Sequence, residues 1–207
     1  MVENKLNSRI QVLTRQAEEK AQRRQLILDA ALIVFAAKGY AETSMADIAQ
    51  SARLGKATLY YYFPTKEAIY EAIYVAGTEA YYSEMIPVLE IEEPANIIKT
   101  MLTFYVVYMN EHRDFFNIFF PLGRSAPLQI VESTVVRELL TWHRQRLDTI
   151  LQSKLQVKNA DQLEHLLQVL WTFLTGLNSK LLRQVPIQNL MDEIETINSF
   201  MLQFLQE

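Results

Sequence analysis

The 207-residue chain is half hydrophobic and 21% charged, enough apolar surface for a sizeable core and too little charge for a disordered polyelectrolyte. It contains no cysteine, which excludes disulfides and thiolate metal sites, and its net charge of -4 argues against a nucleic-acid partner only if the charge is evenly spread. It is not: residues 1–66 hold ten Lys/Arg against six Asp/Glu, whereas residues 67–207 hold ten against eighteen. A basic front on an acidic body lets an acidic protein dock on a polyanion, the alternative being chance segregation over solvated helix faces. The first residues lack the apolar core of a signal peptide, and no window approaches the roughly 18 apolar residues of a membrane span, so a cytoplasmic protein with no membrane partner is expected.

Only five Gly and six Pro punctuate the chain, and nearly every segment between them repeats apolar residues at i, i+3 and i+4. The fold class is therefore all-α, with about nine helices and no convincing strand. Breaks are expected at Gly39-Tyr40, Leu54-Gly55 and Phe63-Pro64-Thr65, around Pro87 to Pro94, at Phe120 to Pro127, near Val157-Lys158-Asn159, and at Val185-Pro186. The first helix should run from roughly Glu18 to Lys38, striped by Ile27, Ala30, Ala31, Val34 and Phe35 and closed by Gly39. Ahead of it, residues 1–21 form a basic extension with Lys5, Arg9 and Arg15, read as a disordered arm that could track a duplex.

Thr43-Ser44 with Asp47 three residues after Ser44 marks a helix N-terminus close to a capping box, and Met45, Ile48, Ala49 and Ala52 make one two-turn stripe. Arg53-Leu54-Gly55 interrupts, and a second short helix follows from Lys56. Two short helices about a tight turn, packed on a longer one, make a helix-turn-helix. At 100° per residue from Leu59, Phe63 falls near 40°, so these two define the buried side, whereas Tyr61 falls near 200°, Ala57 near 160°, Tyr60 near 100° and Thr58 near 260°. Lys56, Ala57, Thr58, Tyr60 and Tyr61 thus form an outward face suited to a major groove: a cation for guanine or phosphate, a small residue for close approach, a hydroxyl with a methyl, and two amphipathic rings. Tyr62 sits at its edge, where the hydroxyl could reach a phosphate, and Lys66 adds another candidate phosphate contact. The alternative is a set of exposed tyrosines used for protein contact.

The stretch Ala41 to Tyr70, AETSMADIAQSARLGKATLYYYFPTKEAIY, closely resembles the DNA-binding signature of the TetR family of bacterial transcriptional regulators. Gly39, Tyr40, Thr43, Ile48, Ala49, Ala52, Lys56, Thr58, Leu59, Tyr60, Phe63, Lys66 and Glu67 match that pattern in spacing. The resemblance implies a dimeric repressor. A helix-turn-helix DNA-binding domain over residues 22–68 would join, through a continuous helix, a helical ligand-binding and dimerisation domain over residues 69–207. Its partners would be a double-stranded DNA operator, a small-molecule effector and a second copy. Carried over by position, Lys56, Ala57, Thr58, Tyr60 and Tyr61 would meet bases or adjoining backbone, and Ser44, Tyr62 and Lys66 would hold phosphates. The departure is Arg53-Leu54-Gly55, where the family commonly has Gly-Val-Ser. Arg53 falls where the turn often needs positive φ, at a cost of about 1 kcal/mol for a non-glycine residue, and is expected to add a phosphate contact of its own.

Two late segments carry regular ladders: Leu163, Leu167, Leu170, Leu174, Leu177 and Leu181, and Leu190, Ile194, Ile197, Met201 and Phe204. They are expected to form a homodimeric four-helix seam, the alternative being that both serve the chain's own core. Aromatics concentrate in the middle of the chain. Phe104, Tyr105, Tyr108, Phe116, Phe119, Trp142, His143 and Trp171 are candidate walls and polar points of an effector cavity for a hydrophobic, aromatic or amphipathic molecule; such residues can equally be plain core. The three histidines lack metal-ligand spacing, and no phosphate loop or nucleophile elbow occurs, so neither a metal, a cofactor nor an enzymatic activity is expected. Two rivals remain at this point: a DNA-binding activator or nucleoid-associated factor without an inducer, and a helical lipid carrier or scaffold.

Overall fold

The computed structural model describes residues 2–119, 133–155, 157 and 160–206, with side chains described for residues 11–118, 133–155, 157 and 161–203. Phe120 to Pro127, Lys158, Asn159 and the side chains of Lys5, Arg9, Phe119 and Phe204 lie outside the described residues. Among those described there is no strand. The helices are α1 (Val2–Lys38), α2 (Met45–Ser51), α3 (Lys56–Tyr62), α4 (Lys66–Ile91), a 3-10 turn (Pro94–Asn96), α5 (Ile97–Glu111), α6 (Arg113–Phe119), α7 (Thr134–Leu155), α8 (Ala160–Leu182) and α9 (Ile187–Gln206).

The amino-terminal extension is not the disordered arm expected. It is the first part of α1, which runs unbroken for 37 residues because neither glycine nor proline occurs before Gly39. Residues 11–23 are exposed throughout, so this stretch is held by helix propensity and local pairs such as Arg15 with Glu19 at 2.9 Å rather than by packing. The break expected around Pro87 to Pro94 falls after Ile91, with Pro87 itself inside α4. One break was not expected: α5 gives way to α6 at His112, whose φ of -106° and ψ of 51° break the helix with no glycine or proline to signal it.

Two hydrophobic clusters organise the chain. The first holds α1 (Ile27, Ala31, Phe35), α2 (Ile48, Ala49), Leu59 of α3, Phe63 and the start of α4 (Ile69, Tyr70, Ile73), and also takes in Ile118 from α6 and Val136 from α7. The second joins the rest of α4 to α5, α7, α8 and α9. Helix α6 contributes to both, with Phe115 and Phe116 in the larger cluster and Ile118 in the smaller. Gly77 lets it approach α4: a Cβ there would stand 2.1 Å from the Phe115 ring.

The dimer-seam expectation for the two ladders is corrected by this packing. Leu163, Leu170, Leu177 and Leu181 of α8 and Leu190, Ile194, Ile197 and Met201 of α9 are buried within the single chain, and Leu167 and Leu174 pack partly buried against the same cluster. Their partner is α5, apolar on several sides through Ile97, Ile98, Leu102, Val106 and Met109, against which α9 and α8 both lie. Each such side chain taken from water contributes about 1.5–3 kcal/mol to this body, so the ladders are spent on the chain's own core.

Candidate nucleic-acid interface

The short helices that carry the outward face cannot stand alone, and each end is fixed by specific contacts. Ser44 caps α2 in a full capping box: its hydroxyl accepts from the Asp47 amide at 3.2 Å, and the Asp47 carboxylate accepts from the Ser44 amide at 2.9 Å. Lys38, from the last turn of α1, donates to Asp47 at 2.8 Å and, with the Ser44 hydroxyl, holds that carboxyl well below the usual carboxylate range. Arg53 adopts φ 54°, the left-handed conformation its position required, and its amide closes the end of α2 onto the Gln50 carbonyl at 3.1 Å. Gly55 caps α3 from extended backbone with no side chain to bond the orphan amides.

Helix α3 then presents the expected faces. Leu59 and Phe63 are buried, and Lys56, Ala57, Thr58, Tyr60 and Tyr61 are exposed, Tyr60 at 50% and Tyr61 at 74%. Tyr62 is half-buried at the edge with its ring 5.1 Å from that of Tyr61, edge-on. Beneath them Arg24 of α1 donates to the Tyr62 carbonyl at 2.9 Å, with its guanidinium 4.1 Å from the centre of the Phe63 ring. The end of α3 is thereby tied to α1, and an exposed strip of donors, a methyl and two rings is held on a rigid base. Hydrogen bonds and apolar contacts of this kind read base edges in a major groove.

Lys66 has a different occupation from the phosphate contact expected of it. Its ammonium donates to the carbonyls of Tyr40 and Thr43, both at 2.8 Å, and lies 4.2 Å from the centre of the Tyr40 ring. The neighbouring Glu67 accepts from the Tyr40 hydroxyl, which lowers the carboxyl's proton affinity, while burial and that carboxylate raise the phenol's. The first turn of α4 is thus stapled to the turn before α2. Sequence spacing could not foresee it, because both acceptors are backbone carbonyls more than twenty residues away.

In the body, the structure brings some of the candidate cavity residues together and excludes others. Tyr105, Tyr108 and Phe116 are buried and Phe104 is partly buried. Tyr81, not singled out from sequence, has its ring centre within 5.2 to 6.2 Å of Phe104, Tyr105 and Tyr108. The Tyr105 hydroxyl donates to Asn178 on α8. His143 is buried, stacked on Tyr82 with ring centres 4.2 Å apart. Trp142 and Trp171 are corrected: they are 55% and 59% exposed and line no interior. Trp171 follows Leu170 by one residue, which turns it about 100° off the buried stripe of α8. Thr78 and Tyr82, one turn apart on α4, were not singled out from sequence; the signal available was the i, i+4, i+8 strip of Tyr74, Thr78 and Tyr82 along that helix.

Among the described residues no group of His, Asp and Glu has the arrangement of a metal site, and no helix is long and apolar enough to cross a membrane.

Comparison with known proteins matches residues 27–73 to the model of bacterial regulatory proteins of the tetR family. The biofilm operon icaADBC negative transcriptional regulator IcaR of Staphylococcus aureus is 49% identical over 45 residues, 22% of this chain and 24% of that protein. The chain spans about a quarter to a third of the length of the curated relatives it matches. Two solved structures share the fold over most of both chains. The transcriptional regulator FadR of Bacillus subtilis, in complex with stearoyl-CoA, has a TM-score of 0.69 at 17% identity over 87% of this chain and 96% of that one. A TetR-like transcriptional regulator of Rhodococcus sp. RHA1 has a TM-score of 0.63 at 21% identity over 85% and 93%. Residues 27–73, which carry the capped helix-turn-helix, match the family model of bacterial tetR regulatory proteins, and the chain as a whole shares its fold with TetR-like regulators.

Proposed function

We propose that the chain is a cytoplasmic, ligand-responsive repressor that binds a pseudo-palindromic operator as a homodimer and is released by a small hydrophobic or aromatic molecule. The observation that carries the DNA-binding part is the exposed Lys56, Ala57, Thr58, Tyr60 and Tyr61 face above the buried Leu59 and Phe63. Ser44 and Arg53, exposed at the two ends of α2, are the flanking candidates for phosphate contact, and Tyr62 closes the edge. Negative regulation is the role named for IcaR, 49% identical over 45 residues, and FadR, which shares the fold, was solved with stearoyl-CoA.

The dimer would use what the ladders leave over. The outward sides of α8 and α9 carry Trp171, Gly176, where an added Cβ would meet nothing within 4 Å, and Phe200, 54% exposed. Two exposed large aromatics and a helix-interior glycine suit close approach of a second copy, which would set two recognition helices about one helical turn of DNA apart, roughly 34 to 36 Å, or a multiple of it. Communication with the body would run through α6. Phe115 bears on Gly77, Ile118 enters the amino-terminal cluster, and the Tyr70 hydroxyl donates to the Ile118 carbonyl at 2.9 Å. A molecule that displaces α6 would move the heads, provided it binds the DNA-incompetent state more tightly.

Selection from random DNA tests the reading. The expected product is an inverted repeat whose binding is abolished by Lys56→Ala with Tyr60→Ala while the helical content is kept. Recovery of no motif, or retention of binding by the double variant, would remove the repressor reading.

A further inference from the structure

Helices α4 and α7 carry three buried polar atoms with no hydrogen-bond partner among the described residues: the Thr78 hydroxyl and both ring nitrogens of His143. Thr78 is fully buried and His143 is 3% exposed. Folding takes such groups from water, and the loss is recovered only when something bonds them. Tyr82 links the two residues. Tyr82 follows Thr78 by one turn on the same side of α4, and a long helical side chain leans over the turn before it, which here is the Thr78 turn. His143 lies flat against that ring, centres 4.2 Å apart and planes 9° apart. Glu79, next to Thr78, is near enough to act on the imidazole's proton affinity.

The chemistry of the pair is neutral. Burial lowers the imidazole's proton affinity, with the opposing pull of Glu79 the smaller effect. A neutral imidazole offers one N–H donor and one bare acceptor nitrogen, and a threonine hydroxyl both gives and accepts. Arg144, the basic group that acts on the Tyr82 hydroxyl, is bonded to both oxygens of Asp148 at 2.9 and 3.1 Å, on the exposed side of α7. The set supplies hydrogen bonds of both polarities and no cation to balance a buried anion. We propose that Thr78 and His143 recognise the polar head of an uncharged amphipathic effector, such as a phenol, an alcohol or a carboxamide, in preference to a carboxylate or a phosphorylated compound. This rests on the reading of the body as effector-binding and narrows the chemistry of that site.

Trp142 provides the readout, because its ring centre is 4.7 Å from that of His143. The full chain carrying Trp171→Phe, so that Trp142 is the single emitter, is titrated with 4-butylphenol, 4-butylbenzamide and 4-butylbenzoate at pH 7.5. The phenol and amide should bind at least tenfold more tightly than the benzoate. Thr78→Val, which keeps the shape of the side chain, and His143→Phe should each weaken the phenol at least tenfold and leave the benzoate unchanged. Thr78→Val should not lower Tm, because it removes a hydroxyl with no partner among the described residues; it keeps the test decisive if His143→Phe fails to fold. Equal or tighter benzoate binding, phenol binding indifferent to Thr78→Val, or binding of none of the three probes would overturn the proposal, the last leaving water as the partner of the pair. Operator release is measured on the same complexes. Selective phenol binding without release would remove the effector reading and leave the recognition point standing.

Discussion

Replacing Lys66 with methionine separates two roles that a basic residue at the start of α4 could have. Methionine keeps most of the aliphatic stem against the Tyr40 ring but removes two charge-assisted hydrogen bonds, to the Tyr40 and Thr43 carbonyls at 2.8 Å each. Bonds of that class contribute about 1.5–3 kcal/mol apiece when well shielded. The ammonium is partly exposed and both carbonyls can recover water, so the low end with a solvent discount applies, and about 2 kcal/mol in all is expected. For a chain of this length that corresponds to a fall in Tm of about 4 to 8 °C. The assay is a thermal melt of Lys66→Met beside operator titrations over a series of salt concentrations. A staple that holds the turn before α2 predicts the lower Tm with little change in the salt slope. A phosphate contact predicts an unaltered Tm and a slope shallower by about 0.9 for each Lys66 engaged. The second pattern would refute the structural role assigned to Lys66.

Three further outcomes follow from the geometry. Gly55→Ser should stabilise the chain by a few tenths of a kcal/mol, because the backbone there is extended and the added Cβ meets only the Thr58 hydroxyl at 3.9 Å, leaving its oxygen to cap α3; a lower Tm would show that the turn cannot hold a side chain. Tyr105→Phe should cost about 1–3 kcal/mol by stranding the buried Asn178 oxygen, and Asn178→Leu added to it should recover much of the loss, so a double variant as unstable as the sum of the singles would mean the pair is not coupled. The Asp47 carboxyl is held well below its ordinary 3.8 by Lys38 and Ser44, so its contribution is fully present above that value and is lost as pH falls below it. Asp47→Asn should therefore melt below the parent protein at pH 7, with the gap closing towards pH 2; a gap that does not change with pH would show that charge plays no part.

The recognition face was legible in the sequence because a seven-residue helix leaves its periodicity few ways to be placed. Once Leu59 and Phe63 are assigned inward, 100° per residue fixes where Lys56, Thr58, Tyr60 and Tyr61 point, and the buried stripe of α2 is set in the same way by Ile48, Ala49 and Ala52. The left-handed Arg53 was expected from the resemblance instead, because the family's pattern commonly has glycine at that position of the turn. What failed were statements about who is on the other side of a contact. A 4-3 ladder of leucines has the same rhythm whether it meets a helix of its own chain or of a second copy.

The difference was decided by α5, whose apolar residues lie on several sides and leave it in need of cover from more than one neighbour. Once α8 and α9 have supplied that cover, the surface available to a partner is the side that hydrophobic periodicity treats as solvent, with exposed Trp171, Gly176 and Phe200. Periodicity finds the most apolar stripe of a helix, and in a chain with so large a body that stripe belongs to the body's core. A homodimer seam on the remaining face has to be sought in exposed aromatics at positions the ladder skips. By the same reasoning, the proposed effector site is to be sought at polar residues on the inward face. Thr78 and His143 interrupt apolar surroundings with groups that have no hydrogen-bond partner among the described residues, whereas the abundant aromatics nearby can be accounted for as packing alone.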